Sequence, residues 1–191
     1  MFDFVSKFSA SVKGLVKRLL IGGGAALTIG GWLQYRILNS DGTATVPWTR
    51  FKNGVPNAAL NDVLEVYLRG GTQKTTWYIG LIDNTGFSAL AASDTMSSHA
   101  GWAEETDYSE SVRQTCTFGA ASGQTISNVS SVASFTISSN NQSIYGAFLV
   151  SNNTKGGTTG VLFATGAFAS VQGLSTGQVL QVRYDCSAAS S

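Results

Sequence analysis

From residue 45 to residue 184 the chain repeats one cadence, a short run of β-branched and aromatic residues followed by a cluster of Gly, Ser or Asn. A chain patterned this way builds strands joined by tight turns. Thr75–Ile82 (TTWYIGLI) is the strongest run, dense in residues that fit a pleated sheet. Val112–Phe118, Val132–Ser138, Ile144–Val150, Gly160–Thr165, Phe168–Val171 and Val179–Tyr184 follow, and Thr45–Phe51 is a further candidate. Gly119–Gly123, Ser139–Gln142, Asn152–Gly157 and Gly173–Gly177 punctuate them. The expectation is a mainly β fold, a jelly-roll-like antiparallel sandwich of about eight strands. No fixed period recurs, so a propeller or solenoid is not indicated.

One helix interrupts the cadence. Leu60, Val63, Leu64, Tyr67 and Leu68 follow the three- and four-residue steps of an apolar stripe, with Pro56 ahead and Gly70-Gly71 behind. The spacing predicts a short helix over Asn57–Leu68 whose stripe packs on the core, with a lid over an open end of the sandwich or a docking element as the alternatives. After it, the connection Asp83–Glu110 is too long for a simple turn. Phe87, Leu90, Met96, Trp102 and Tyr108 are expected to pin it to the sheet.

The first 36 residues read differently. Phe4, Phe8, Val12, Leu15 and Leu19 fall on one side of a helical projection, while Lys7, Ser11, Gly14 and Arg18 fall opposite. Leu19 to Leu33 then runs without a charge and includes five glycines. The predicted division is an N-terminal arm over 1–36, helical at its start, and a β-sandwich domain over 37–191. An uncharged helix of that run is about 22 Å long, short of a bilayer core of roughly 30 Å, and glycine disfavours it further. Three readings stay open: an arm docking on protein through Phe4, Phe8, Val12, Leu15, Leu19 and Trp32; membrane contact through residues 1–33; or a cleaved signal segment.

Charge sharpens the division. Residues 1–36 carry five basic groups against Asp3, a net of +4, whereas residues 37–191 carry seven basic and ten acidic groups, a net of −3. The β-domain has no basic cluster, so specific nucleic-acid binding is not expected. Only 12% of the residues are charged, well below a typical surface, and Ser, Thr, Asn and Gly take their place. Such a surface suits packing into an assembly. About 155 residues remain without the arm, enough to bury roughly two-thirds of the unfolded chain's surface without metals or staples. Cys116 and Cys186 lie far apart in sequence and read as two buried thiols, with a disulfide as the alternative.

Catalytic patterns are lacking. His99 is the sole histidine, so histidine supplies a metal with one ligand at most. No GxSxG elbow, GxGxxG, phosphate loop or EF-hand spacing occurs. Asp83, Asp94, Glu104, Glu105, Asp107 and Glu110 crowd the long connection and read as solvated loop carboxylates. The expectation is a protein without enzymatic activity, metal or cofactor.

The run Ala59–Glu104, containing WYIGLIDN, SDTMSSHAGW and, just beyond it, YSE, resembles a family of small proteins encoded by tailed bacteriophages. GAFLVSNNTKGGTTGVLFATGAF and GQVLQVRY continue the likeness, which spans about residues 48–185. The resemblance implies a virion structural protein, with capsid decoration or cementing as the role inferred from it. Its implied location is the virion capsid. Its implied partners are the major capsid protein or other virion proteins, and a homo-oligomer, a trimer by analogy of fold. The alternatives are a membrane-anchored or secreted β-sandwich binding module and a phage tail or fibre component. The arm lies outside the likeness, so its role is not implied by it.

Overall fold

The structure, a computed structural model, describes residues 27–190. Its first element corrects the predicted division. Leu27–Leu38 is a strand, β1, lying between Ala44–Lys52 (β2) on one side and Val179–Ser190 (β10) on the other. Leu33, Tyr35 and Ile37 alternate into the core and are almost fully buried. Residues 27–36 are therefore domain, not arm. Leu33 has no exposed surface and is not available to a membrane.

Ten strands and one helix make up the described chain. After β2 come α1 (Asn57–Arg69), β3 (Trp77–Asp83), β4 (Ala103–Glu105), β5 (Gln114–Cys116), β6 (Thr125–Ser127) and β7 (Ala133–Thr136). β8 (Gln142–Val150) and β9 (Leu162–Leu174) precede β10. The runs at Gly160–Thr165 and Phe168–Val171 merge into the single strand β9, and β1, β4 and β6 add to the predicted set. The first sheet runs β2-β1-β10-β6, with β7 also on β10; the second runs β4-β3-β8-β9, with β5 also on β3. Every pairing is antiparallel.

The core lies between the sheets. Leu180, Val182 and Tyr184 of β10 meet Ile79 and Leu81 of β3, Ala147 and Leu149 of β8 and Phe168 of β9. Tyr35 stacks on Phe168 with centroids 4.1 Å apart, and Phe51 meets both rings edge-on.

The second sheet is buried on its outer face as well. Ile82, Phe148, Val150 and Leu162 are covered there by Met96 and Trp102 of the long connection, with Phe87 and Leu90 at its margin. That connection is pinned as predicted, and Tyr108 is buried too, edge-on to Phe135. Burial on both faces explains why WYIGLID is a continuous apolar run rather than an alternating one. Gly80 makes room for this layer, because a Cβ there would lie 2.3 Å from the Phe148 ring.

The two ends of the sandwich differ. At one end, the Asn39–Thr43 turn, Asn140 and the Ser175–Gln178 turn hold one another: Gln178 donates to Asn39 Oδ1, and the Thr176 amide donates to Asn140 Oδ1. The opposite end, where β1 begins and β10 finishes, is apolar and open.

Candidate docking surface

At the open end β2 and β8 finish, and β3 and β9 begin. Their terminal side chains leave a half-open cleft of about 200 Å³ between the sheets, lined by Trp77, Phe118, Ile126, Leu149, Phe163, Tyr184 and Cys186. Trp77 meets Phe163 edge-on at 5.2 Å, and Phe118 meets Tyr184 at 6.2 Å. Among the described residues no charged side chain lines the cleft. The Tyr184 hydroxyl already accepts from Asn53 Nδ2 at 3.0 Å, and burial pushes its pKa well up. Both thiols are free. Burial pushes that of Cys116 up to about 12 and also raises that of Cys186. Such a lining accepts an apolar group and offers no anchor to a charged one.

The helix flanks the same end, since it links the finish of β2 to the start of β3. Its stripe does not pack on the core as predicted. Ala59 is its only buried residue, while Leu64, Tyr67 and Leu68 are 51%, 87% and 77% exposed. The periodicity formed the helix, and the Gly70 C-cap in the left-handed region (φ +75°) closes it. Its first turn is held against the body by the Asn57 amide donating to Ala92 O. Leu60 and Val63 of the stripe are half-buried, and its remainder, Leu64, Tyr67 and Leu68, faces solvent.

Of the residues nominated for arm docking, Phe4, Phe8, Val12, Leu15 and Leu19 lie outside the described residues. Trp32 is in β1, 39% exposed, with Lys52 Nζ 6.0 Å from its ring centroid. It alternates with the core residues Leu33 and Tyr35 and so stands on the outer face of its sheet, away from the cleft.

No family model, no curated protein and no solved structure matches this chain.

The acidic connection is structural in a way its composition did not suggest. Asp94 and Glu105 are buried, and the Glu104 side chain is only 7% exposed, so the solvated reading fails for these three. Asp94 accepts from Trp102 Nε1 at 3.0 Å and from the Ala91 amide at 2.9 Å. His99 stacks on Trp102 at 3.9 Å, with Nδ1 2.9 Å from the Trp102 carbonyl. Glu104 grips the fully buried Arg113 through two bonds, from Nε at 2.8 Å and Nη2 at 2.7 Å. Arg113 also donates to the carbonyls of Asn152 and Gly157 and lies 5.3 Å from the Phe148 ring centroid. These groups clamp loops onto the second sheet. Among the described residues no three His, Cys, Asp or Glu side chains converge as a metal site would require.

Glu105 gives a test of this burial. Desolvation raises its pKa, reinforced by the neighbouring charges of Asp83 and Asp107. A carboxyl whose pKa is raised on folding favours the native state while protonated and loses that contribution as pH rises through the folded value. Glu105→Gln keeps an acceptor for the Asp107 amide, which now bonds Oε1 at 2.6 Å. The variant should melt higher than the parent near pH 7 and level with it below the ordinary glutamate pKa. Thermal unfolding at both pH values checks this, and equal melting temperatures at neutral pH would refute it.

Proposed function

We propose that this protein is a bacteriophage virion structural component, a capsid decoration or cement protein without enzymatic activity, attached through its N-terminal segment. The observation that carries the reading is the placement of apolar surface. The cleft, the outward stripe of α1 and the entry of the basic amphipathic segment into β1 all lie at one end of the sandwich. A free enzyme has no need for such a face, whereas a protein seated on a larger particle does. The low charge of the chain agrees, as does the sequence resemblance to tailed-phage proteins. The partners in this reading are the major capsid protein or other virion proteins, with trimers as the assembly unit. The finer architecture we propose is jelly-roll-like, on the ground that β1 pairs with the last strand β10 and β3 with β8. The segment before β1 is proposed as helical because its apolar spacing is.

The deciding experiment is quantitative mass spectrometry of purified virions. A copy number comparable with that of the shell subunit supports decoration. A handful of copies moves the protein to the tail or a vertex. Recovery only in a detergent-extractable membrane fraction, with none in particles, would sink the virion reading in favour of a membrane-anchored binding module.

A further inference from the structure

We propose that the outer face of the first sheet binds single-stranded nucleic acid, holding its phosphates and stacking its bases without regard to sequence. The inference stands on the strand register and the distribution of charge, and does not depend on the virion reading.

In the sequence the basic residues look scattered, because those that matter come from three strands. Arg36 is on β1, Arg50 and Lys52 are on β2, and Arg183 is on β10. The register gathers them. Arg50 and Arg183 both lie opposite Gln34, one on each side of it, and Arg36 is the next residue on the same face of β1. Lys52 lies opposite Trp32. Gln34 and Arg36 alternate with the buried Leu33, Tyr35 and Ile37, and Arg183 with Val182 and Tyr184, so the set stands on the outer face. Arg50 and Arg183 are then about 10 Å apart across the sheet, and Arg50 and Lys52 about 7 Å apart along it.

Charge pairing singles out this face. Elsewhere among the described residues Arg69, Lys74 and Arg113 each meet a carboxylate, and Lys155 donates to the Tyr108 carbonyl. Arg36, Arg50, Lys52 and Arg183 meet no carboxylate within the described chain. Asp185 is the only acidic residue in the strands of this sheet. Its two oxygens already accept from Ser127 and Gln34. Like charges set side by side weaken a sheet, and a bound anion relieves that repulsion.

The arginines are held ready for one. Arg36 Nε donates to Gln181 Oε1 at 2.6 Å, and Arg183 Nη2 donates to Gln34 Oε1 at 2.8 Å. Both guanidiniums lie against the Trp48 indole, 4.9 and 4.3 Å from its centroid. Arg183 Nε is buried without an acceptor, while Arg50 and Lys52 are exposed. The face is rich in donors and short of acceptors. A phosphodiester is its complement, because phosphate oxygens match the guanidinium fork.

Two indoles turn charge into a preference. Trp32 and Trp48 stand on the same face as the cations, exposed and half-buried respectively. Cations interleaved with aromatic rings hold a single strand by its phosphates and its base faces together. A duplex keeps those base faces stacked inside, and an acidic peptide or an anionic lipid brings charge without flat rings. Gln34 and Gln181 could read a base edge, but both amides are engaged with Asp185, Ser134 and the arginines. Binding is therefore indifferent to sequence.

Fluorescence anisotropy of the full-length chain with a labelled oligothymidylate tests the face, at salt from about 50 to 200 mM. Each phosphate contact on a single strand contributes about 0.7 to the slope of log affinity against log salt. Arg50→Ala/Lys52→Ala removes two such contacts, so its slope should be shallower by about 1.4, and the parent should lose about sevenfold more affinity over that range. Trp32→Ala should bind about tenfold more weakly with its slope unchanged. Circular dichroism should match the parent in both variants. The same shifts should appear in a Lys7→Ala/Lys13→Ala/Lys17→Ala background, which removes basic residues outside the face. Equal slopes for the parent and Arg50→Ala/Lys52→Ala overturn the proposal, as does loss of all binding in the lysine background alone. Competition at equal charge by polyglutamate, polygalacturonate or phosphatidylglycerol vesicles, as effective as that by unlabelled oligothymidylate, also overturns it and reassigns the face to an acidic peptide, glycan or lipid.

Discussion

Removal of residues 1–36 is expected to unfold the β-domain, whereas a cut after residue 26 leaves it folded. The longer deletion takes out most of β1, among the described residues the only strand that pairs with β2, and the central neighbour of β10. Leu33 and Tyr35 leave the core with it, and Phe51 and Phe168 each lose an aromatic neighbour. Deleting a large buried side chain costs about 2–5 kcal/mol. Two such losses, plus an orphaned strand, match or exceed the roughly 5–15 kcal/mol that holds an entire domain folded. Far-UV circular dichroism and urea titration of the two truncations check this. A cooperative transition in the 37–191 protein would show that β1 is dispensable.

Arg113→Ala is expected to be the most damaging single substitution outside that core. Its guanidinium is fully buried and bonded to both Glu104 oxygens and two backbone carbonyls. Alanine leaves the Glu104 carboxylate and both carbonyls in a site closed to water. Breaking a buried pair from one side costs about 3–5 kcal/mol, a fall in melting temperature of roughly 10 °C for a domain of this size. Arg113→Met with Glu104→Leu should lose less than Arg113→Ala, because no charge stays behind. It should not recover fully, since the Asn152 and Gly157 carbonyls and the Gly156 amide still lose partners. Thermal melts of the two variants decide it. An Arg113→Ala loss within about 1 kcal/mol of the parent, the range of an exposed pair, would contradict the burial.

The strands that were legible in the chain are those whose apolar content exceeds anything a loop needs: β3, β8 and β10 each announce themselves. β4 (AEE) and β6 (TIS) carry no pattern at all and exist because a neighbour offers an edge. β1 was readable in principle, since Leu33, Tyr35 and Ile37 alternate cleanly. Sequence alone joins it to the arm because the same uncharged, Gly-rich run begins upstream of it. The helix shows a different limit. A 3.6-residue period says that Leu64, Tyr67 and Leu68 share a face and says nothing about what covers that face. The acidic connection misled for a third reason: the burial of Glu104 depends on Arg113, which one-dimensional spacing does not reveal. The cleft arises only where Trp77, Phe163 and Cys186, distant in sequence, meet.

The turns at the closed end carry a practical consequence. Asp41 and Gly42 sit at the tip of the β1–β2 hairpin, exposed, at the end of the sandwich opposite the cleft. A foreign peptide spliced between them would lengthen a polar turn without touching the cleft or α1, and long insertions in surface turns cost little. Were the apolar end seated on a particle, each guest would point away from it, making this scaffold a carrier for ordered antigen or enzyme arrays.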